Sequence, residues 1–343
     1  MALYLGLLLF SFIITSILTV PFIDLLYRLK FLRKKQKTRD FMGKLTPIFD
    51  RLHKTKSGTP VGGGLLIIMV VTVLYIILFP LLSFLGVYVN AVFPIKEELN
   101  VIFLTFISFG LLGLYDDIMK FFGFKKTGFF GLRMRHKFVI QCVLALVVAL
   151  LLHCNLKINF VYIPYFGIFR LGWFYVPLAA AIIVYFTNAF NITDGLDGLS
   201  SGLLMICLFA FWLLSHTILD TPLSIFIALF IGSLISFLYF NVYPARIFLG
   251  DVGALSFGAT IAVIGLLMGK IVALFVIGGW IVFEGLTSLL QILSKKFFKK
   301  KLFAVAPFHL WLQNRGWEEP KIVMRAWLAG LMLAIFGIWL AVI

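Results

Sequence analysis

The chain predicts an all-α polytopic membrane protein of about ten transmembrane helices, forming a single integral-membrane domain over residues 1–343. Three observations carry that reading. Apolar residues make up 62% of the 343 positions, charged residues only 13%, and mean hydropathy is +1.09, too little polar surface for a soluble globule. The apolar residues come in runs long enough to cross hydrocarbon. The basic residues sit in short stretches between those runs, as in loops beside anionic lipid.

Taken in order, the expected spans are 2–26, 61–82, 99–115, 138–153, 173–190, 199–218, 223–240, 253–269, 271–293 and 324–343. The first has no basic n-region and is too long for the apolar centre of a signal peptide, so it reads as a true span. The second opens on Thr59-Pro60-Val61-Gly62-Gly63-Gly64. There Thr59 is placed to cap, and bare N–H groups could face an anion, although three glycines also suit tight helix packing. Segment 83–98 reads as a loop or a short interfacial helix, and the third and fifth spans run into acidic residues. Between spans four and five, residues 157–171 are β-branched and aromatic around Pro164 and Gly167, which predicts a small hairpin. Spans eight and nine are separated by Gly269 and Lys270.

Orientation follows from charge. Of the 30 Lys and Arg residues, 26 fall in 28–58, 116–137, 241–252 and 294–325, all on one side of a ten-span topology. That side is cytoplasmic, and both termini lie outside. A net charge of +16 spread this way argues for a membrane surface, and against nucleic acid as the partner. Cys142, Cys154 and Cys207 lack metal-ligand spacing.

Only 14 residues are acidic, yet several gather at the cytoplasmic ends of apolar spans. Carboxylates at a bilayer edge are costly unless compensated, and a divalent cation is a natural partner. Asp116 and Asp117 point about 100° apart if helical. One could hold a metal while the other faces substrate, or Lys120 could satisfy both. The stretch 188–198 reads Asn-Ala-Phe-Asn-Ile-Thr-Asp-Gly-Leu-Asp-Gly. On a helix Asp194 and Asp197 would share a face, with Asn188, Asn191 and Thr193 as neutral donors and Gly195 allowing close approach. No Lys or Arg occurs in 187–199, which suits a nucleotide or sugar pocket. Asp251, in Gly-Asp-Val-Gly, could cap span eight or, with one of the aspartate pair, hold Mg²⁺. Glu284 lies within span nine. His309, in Ala-Pro-Phe-His-Leu-Trp, and Lys137, before span four, are candidate contacts for a lipid phosphate.

These motifs resemble the phospho-N-acetylmuramoyl-pentapeptide-transferase family, within the polyprenyl-phosphate N-acetylhexosamine-1-phosphate transferases, over essentially the whole chain. Asp116-Asp117-Ile118-Met119-Lys120, the 188–198 stretch, Phe248-Leu249-Gly250-Asp251 and Ala306-Pro307-Phe308-His309 carry the likeness, with Gly316-Trp317, Glu319-Pro320 and Arg325. There are departures. The family carries three consecutive histidines where this chain has His309-Leu310-Trp311, and Thr-Pro-Thr-Met-Gly-Gly where this chain has Thr-Pro-Val-Gly-Gly-Gly.

The resemblance implies a Mg²⁺-dependent phosphoglycosyl transferase in the bacterial inner (cytoplasmic) membrane, with its active site on the cytoplasmic face. Undecaprenyl phosphate would attack UDP-MurNAc-pentapeptide, giving lipid I and UMP. By the same resemblance Asp251, with Asp117, holds the metal. Asp116 takes a proton, and Lys120, Lys137 and His309 hold phosphate oxygens. Gly195, Leu196, Asp197 and Phe248 would form the uridine pocket, with Asn188 and Asn241 orienting the diphosphate. UDP-N-acetylglucosamine as donor is the alternative within the superfamily. A flippase would want charges at the bilayer midplane instead, and an inactive scaffold would release no UMP. A homodimer is compatible with the sequence, which is silent on oligomeric state.

Overall fold

A computed structural model describes residues 2–33, 56–122 and 134–343, so much of the basic stretches 28–58 and 116–137 lies outside the described residues. Among the described residues, nine helices are long and apolar enough to cross a membrane. They are α1 (Ala2–Arg28), α2 (Gly63–Phe84), α3 (Ile95–Phe122), α4 (Met134–Cys154), α5 (Tyr175–Thr193), α6 (Leu199–Thr217), α7 (Thr221–Asn241), α8 (Gly250–Leu267) and α12 (Glu319–Val342). Two further helices, α9 (Ile271–Ile277) and α10 (Gly279–Phe297), pass that test together as a bent pair. A short helix α11 (Phe308–Asn314) precedes α12. With α9 and α10 counted as one span, both chain ends fall on the side opposite the basic loops.

The break in the ninth span departs from the continuous helix expected over 271–293. α9 and α10 meet at 82°, and the reason lies in their side chains. Gly278 sits at the joint, where an added Cβ would lie 2.8 Å from the Phe186 ring. Beyond it α10 is amphipathic, burying Glu284, Thr287, Ser288 and Gln291 while exposing Phe283, Leu286, Leu289 and Leu293. Turning the helix drives that polar stripe into the protein and leaves the apolar stripe outside. Among the helices longer than expected, two carry candidate site residues. α3 begins at Ile95 and carries Asp116 and Asp117 in its last turns, and α4 begins at Met134 and so includes Lys137.

α7 and α8 are buried on almost every side, which fits their unbroken apolar sequence. α1 crosses α7 through a polar seam. Ser11 donates to Leu229 O at 2.7 Å, Thr15 pairs with Ser233 at 2.8 Å, and Ser16 bonds Ser236 at 3.0 Å. Such hydroxyl contacts bind apolar helices where no hydrophobic force can. Glycines bring other helices to backbone contact. An added Cβ on Gly64 would lie 2.2 Å from Gly253 Cα, and one on Gly113 would lie 2.1 Å from Asp251 O. α2 and α3 thus press directly on the start of α8. On the far side, β1 (Phe160–Ile163) and β2 (Gly167–Arg170) form the expected antiparallel hairpin. Lys270, between α8 and α9, stacks its ammonium 3.9 Å from the Tyr162 ring centre.

The α3–α8 contact yields a test. Gly113→Val should destabilise the protein by at least about 1–3 kcal/mol, because overpacking here meets backbone and not a flexible side chain. Thermal unfolding in detergent, with Gly6→Val as the control facing open space, should show a lower midpoint for Gly113→Val alone. Equal midpoints would contradict the contact.

Candidate active site

Asp116 and Asp117 sit near the end of α3 and Asp251 in the first turn of α8, which Gly113 holds against α3. Asp116 and Asp117 are each 2% exposed. Lys120, one turn after the aspartate pair, places Nζ 2.6 Å from Asp251 Oδ2, 3.0 Å from Asp116 Oδ2 and 3.9 Å from Asp117 Oδ1. Lys137 on α4 reaches the same cluster, 2.9 Å from Asp116 Oδ2 and in direct contact with Asp251 Oδ2. Two ammoniums therefore tie three carboxylates together across three helices. Their mutual attraction in this partly desolvated setting offsets the cost of burying each charge.

Backbone geometry sharpens the cluster. The Asp117 Oδ2 accepts from Val252 N at 3.1 Å, so a side chain of α3 satisfies a free donor at the start of α8. Gly250 has φ +79°, and an added Cβ there would come 2.7 Å from that Oδ2. Asp251 is not the cap of α8, a position held by Leu249. Asn191, near the end of α5, donates to Asp251 Oδ1 at 3.2 Å. Asn188 turns aside, donating to Gln141 Oε1 on α4 and to Val184 O, each at 2.8 Å.

Asp194 and Asp197 do not share a helical face. α5 ends at Thr193, Asp194 follows as its C-cap, and Asp197 lies in the turn before α6. Asp194 is buried against Ser200, whose hydroxyl donates to Oδ1 at 2.5 Å. Burial, opposed by that hydrogen bond, raises its pKa to about 6. Asp197 instead joins Lys56, whose Nζ lies 2.7 Å from Asp197 Oδ1 and 2.5 Å from Glu319 Oε1 at the start of α12. Asp197 Oδ2 also accepts from Ala245 N at 3.0 Å. Leu196 is 4% exposed and belongs to the core. Asn241 is a structural joint, accepting from Ser201 Oγ and Gly198 N while donating to Ile247 O.

His309 is buried on α11. Glu284 of α10 accepts from His309 N at 3.1 Å and faces Nδ1 at 3.1 Å. With Nδ1–H directed to that carboxylate, Nε2 is turned toward Gly195, where an added Cβ would lie 2.4 Å from it. Where the resemblance expects two further imidazoles, Leu310 is core. Trp311 stacks on Phe308 at 5.6 Å and lies under the Arg315 guanidinium at 4.1 Å. Thr59 does not cap α2, whose N-cap is Gly62 at φ +119°. It lines a cavity with Tyr27, Phe240 and Arg246, and its carbonyl accepts from Arg33 N at 3.0 Å. Lys56, Glu319 and Gln141 are partners that sequence reading missed, because the signal for each is a contact with a distant residue.

Among the described residues no three His, Cys, Asp or Glu side chains form a ready metal cage. The donors at the cluster are hard carboxylate oxygens, and Mg²⁺ uses one or two such groups with phosphate oxygens and water completing its shell. The residues present fit that ion. In chemical terms the site offers carboxylates to a cation and ammoniums to phosphates, side by side.

A family model described as glycosyl transferase family 4 matches residues 99–269. The chain is 33% identical to the phospho-N-acetylmuramoyl-pentapeptide-transferase of Bacillus pumilus (strain SAFR-032), over 97% of this chain and 96% of the relative. It is 34% identical to the enzyme of that name from Bacillus subtilis (strain 168), over 97% and 96%. The Acetivibrio thermocellus enzyme of that name is 34% identical over 95% and 92%.

Asp194 gives a pH test. Its folded pKa of about 6 lies above its ordinary 3.8, so the folded state holds the extra proton between those values. The stability of the native protein relative to Asp194→Asn is therefore greatest below about pH 4 and falls as pH rises to about 6. Thermal midpoints of both proteins across pH 4–7.5 should show that decline, whereas a constant difference would refute it.

Proposed function

The chain belongs to the phospho-N-acetylmuramoyl-pentapeptide-transferase family, and on that premise we propose that it transfers phospho-MurNAc-pentapeptide from UDP-MurNAc-pentapeptide to undecaprenyl phosphate. The products are lipid I and UMP. The observation that carries the reading is the meeting of Asp116, Asp117 and Asp251 with Lys120 and Lys137 at one end of three helices. Such a set can offer its ammoniums to a polyphosphate while its carboxylates take the accompanying cation.

The step forms one P–O bond and breaks another. An oxygen of the lipid phosphate attacks the sugar-linked phosphorus, and UMP departs with the bridging oxygen and its electron pair. The obstacle is the approach of two anions. Lys120 and Lys137, already at carboxylate oxygens, exchange those contacts for phosphate oxygens of donor and acceptor. Asp251 and Asp117 are the residues that would hold Mg²⁺, which when bound supplies further neutralisation of the diphosphate and of the departing UMP. Asp116 would receive a proton from the lipid phosphate once Lys120 and Lys137 leave its Oδ2 for phosphate oxygens. A phosphate monoester loses its second proton near pH 6, so little proton removal is needed at neutral pH. Glu284 holds His309 so that Nε2 faces the Gly195 turn, and when the ring is doubly protonated its Nε2–H would donate to a phosphate oxygen. Phe248 offers a face for uracil, and Asp194 and Asp197 shape the turn beside it.

The experiment supplies the detergent-solubilised protein with undecaprenyl phosphate, Mg²⁺ and one UDP-sugar at a time, and measures UMP. UDP-MurNAc-pentapeptide should support release, and UDP-N-acetylglucosamine should support little. EDTA should abolish release. Asp251→Asn should lower it by about 10²-fold or more, the scale seen when a charged group that stabilises a transition state is removed. Native rates from Asp251→Asn would sink the metal assignment, and a preference for UDP-N-acetylglucosamine would move the protein to the alternative donor.

A further inference from the structure

Arg33, just beyond α1, is fixed by its backbone. Its amide donates to Thr59 O at 3.0 Å, and its carbonyl accepts from Gly58 N at 2.9 Å and Ser57 Oγ at 3.4 Å. The same short segment grips Phe248. The Phe248 amide donates to Pro60 O at 2.8 Å, and its carbonyl accepts from Gly62 N and Gly63 N at 3.1 and 2.9 Å. Held by one strand-like stretch, the two side chains meet, with the guanidinium carbon 5.3 Å from the Phe248 ring centre.

The surroundings of this arginine are unusual. It is partly buried, and burial lowers its pKa despite the nearby charges of Asp194, Asp197 and Glu319. Yet those carboxylates are engaged elsewhere. Lys56 takes Asp197 and Glu319, and Ser200 takes Asp194. Among the described residues, no carboxylate comes within ion-pair distance of Arg33, and no side chain or carbonyl accepts a hydrogen bond from its guanidinium. A guanidinium presents five donors in a rigid planar fork suited to carbonyl and phosphate oxygens. Desolvating that fork without acceptors is unfavourable, whereas a ligand stacked or seated beside Phe248 would supply them.

We propose that Arg33 is a nucleotide-binding residue whose guanidinium, laid on Phe248, donates to acceptor oxygens of the uridine nucleotide. It governs affinity for the UMP portion of the donor and not the rate of transfer. The inference rests on the reading of this pocket as a UDP-sugar site and adds a residue to it. A purely structural arginine, one that only anchors the end of α1 to Phe248, predicts loss of stability and nothing else.

Kinetics of the full-length protein separate these roles. Arg33→Met keeps the apolar stem and removes the fork, and Arg33→Lys keeps charge without planarity. Arg33→Met should raise KM for UDP-MurNAc-pentapeptide and weaken inhibition by UMP by about tenfold or more, as for a lost charged hydrogen bond. Its kcat should stay within about twofold, and Arg33→Lys should fall between. Unchanged KM and UMP inhibition in both variants would overturn the proposal, whether or not the melting temperature falls. Should Arg33→Met fail to fold, the KM of Arg33→Lys at a native melting temperature decides alone. UMP-induced stabilisation, read by thermal shift, needs no turnover. If native protein is stabilised by UMP and Arg33→Met is not, the nucleotide contact stands even where no transfer is detected and the transferase reading fails.

Discussion

Everything at the basic face depends on one constraint: three aspartates have to stay together where water is scarce. Like charges held this close repel, and a bilayer edge makes each more costly. Two devices meet that demand. Lys120 and Lys137 neutralise the cluster from α3 and α4, and glycine contacts keep the helices from easing apart. Gly113 sets α3 on the backbone of Asp251, and Gly64 sets α2 on Gly253. The spacing of the carboxylates is therefore a property of helix crossings, whose rigidity comes from backbone against backbone.

How much of this was legible in the sequence follows from the range of each signal. The spans, the hairpin and the sidedness were readable, because hydropathy, β-branched patterning and loop charge are local. Asp116, Asp117 and Asp251 were readable for a different reason: an acidic residue beside an apolar span is expensive, so its presence demands an explanation. Lys120 followed from its spacing to the pair. The bend at Gly278 was not readable, since Gly278-Gly279 inside a long apolar run looks like an ordinary span. Only the polar stripe from Glu284 to Gln291 hinted that the second half had a different neighbour.

Other contacts were hidden by distance along the chain. Lys56 bonds residues 141 and 263 positions away, and no local pattern announces that. Glu284 and His309 are separated by 25 positions and fall on different helices. The resemblance supplied His309 but not the carboxylate that orients it. It also made the missing imidazoles conspicuous. Leu310 and Trp311 fill those places with core and aromatic packing around Phe308 and Arg315, which leaves His309 as the imidazole turned to the Gly195 turn.

The pairing of lysines with aspartates has a consequence for the order of assembly. At rest the pocket is close to electrically balanced, three carboxylates against two ammoniums. On the reading proposed above, a cation arriving together with its polyphosphate would exchange both sets of contacts at once, whereas either ion alone at this cluster would strand the partner it displaced.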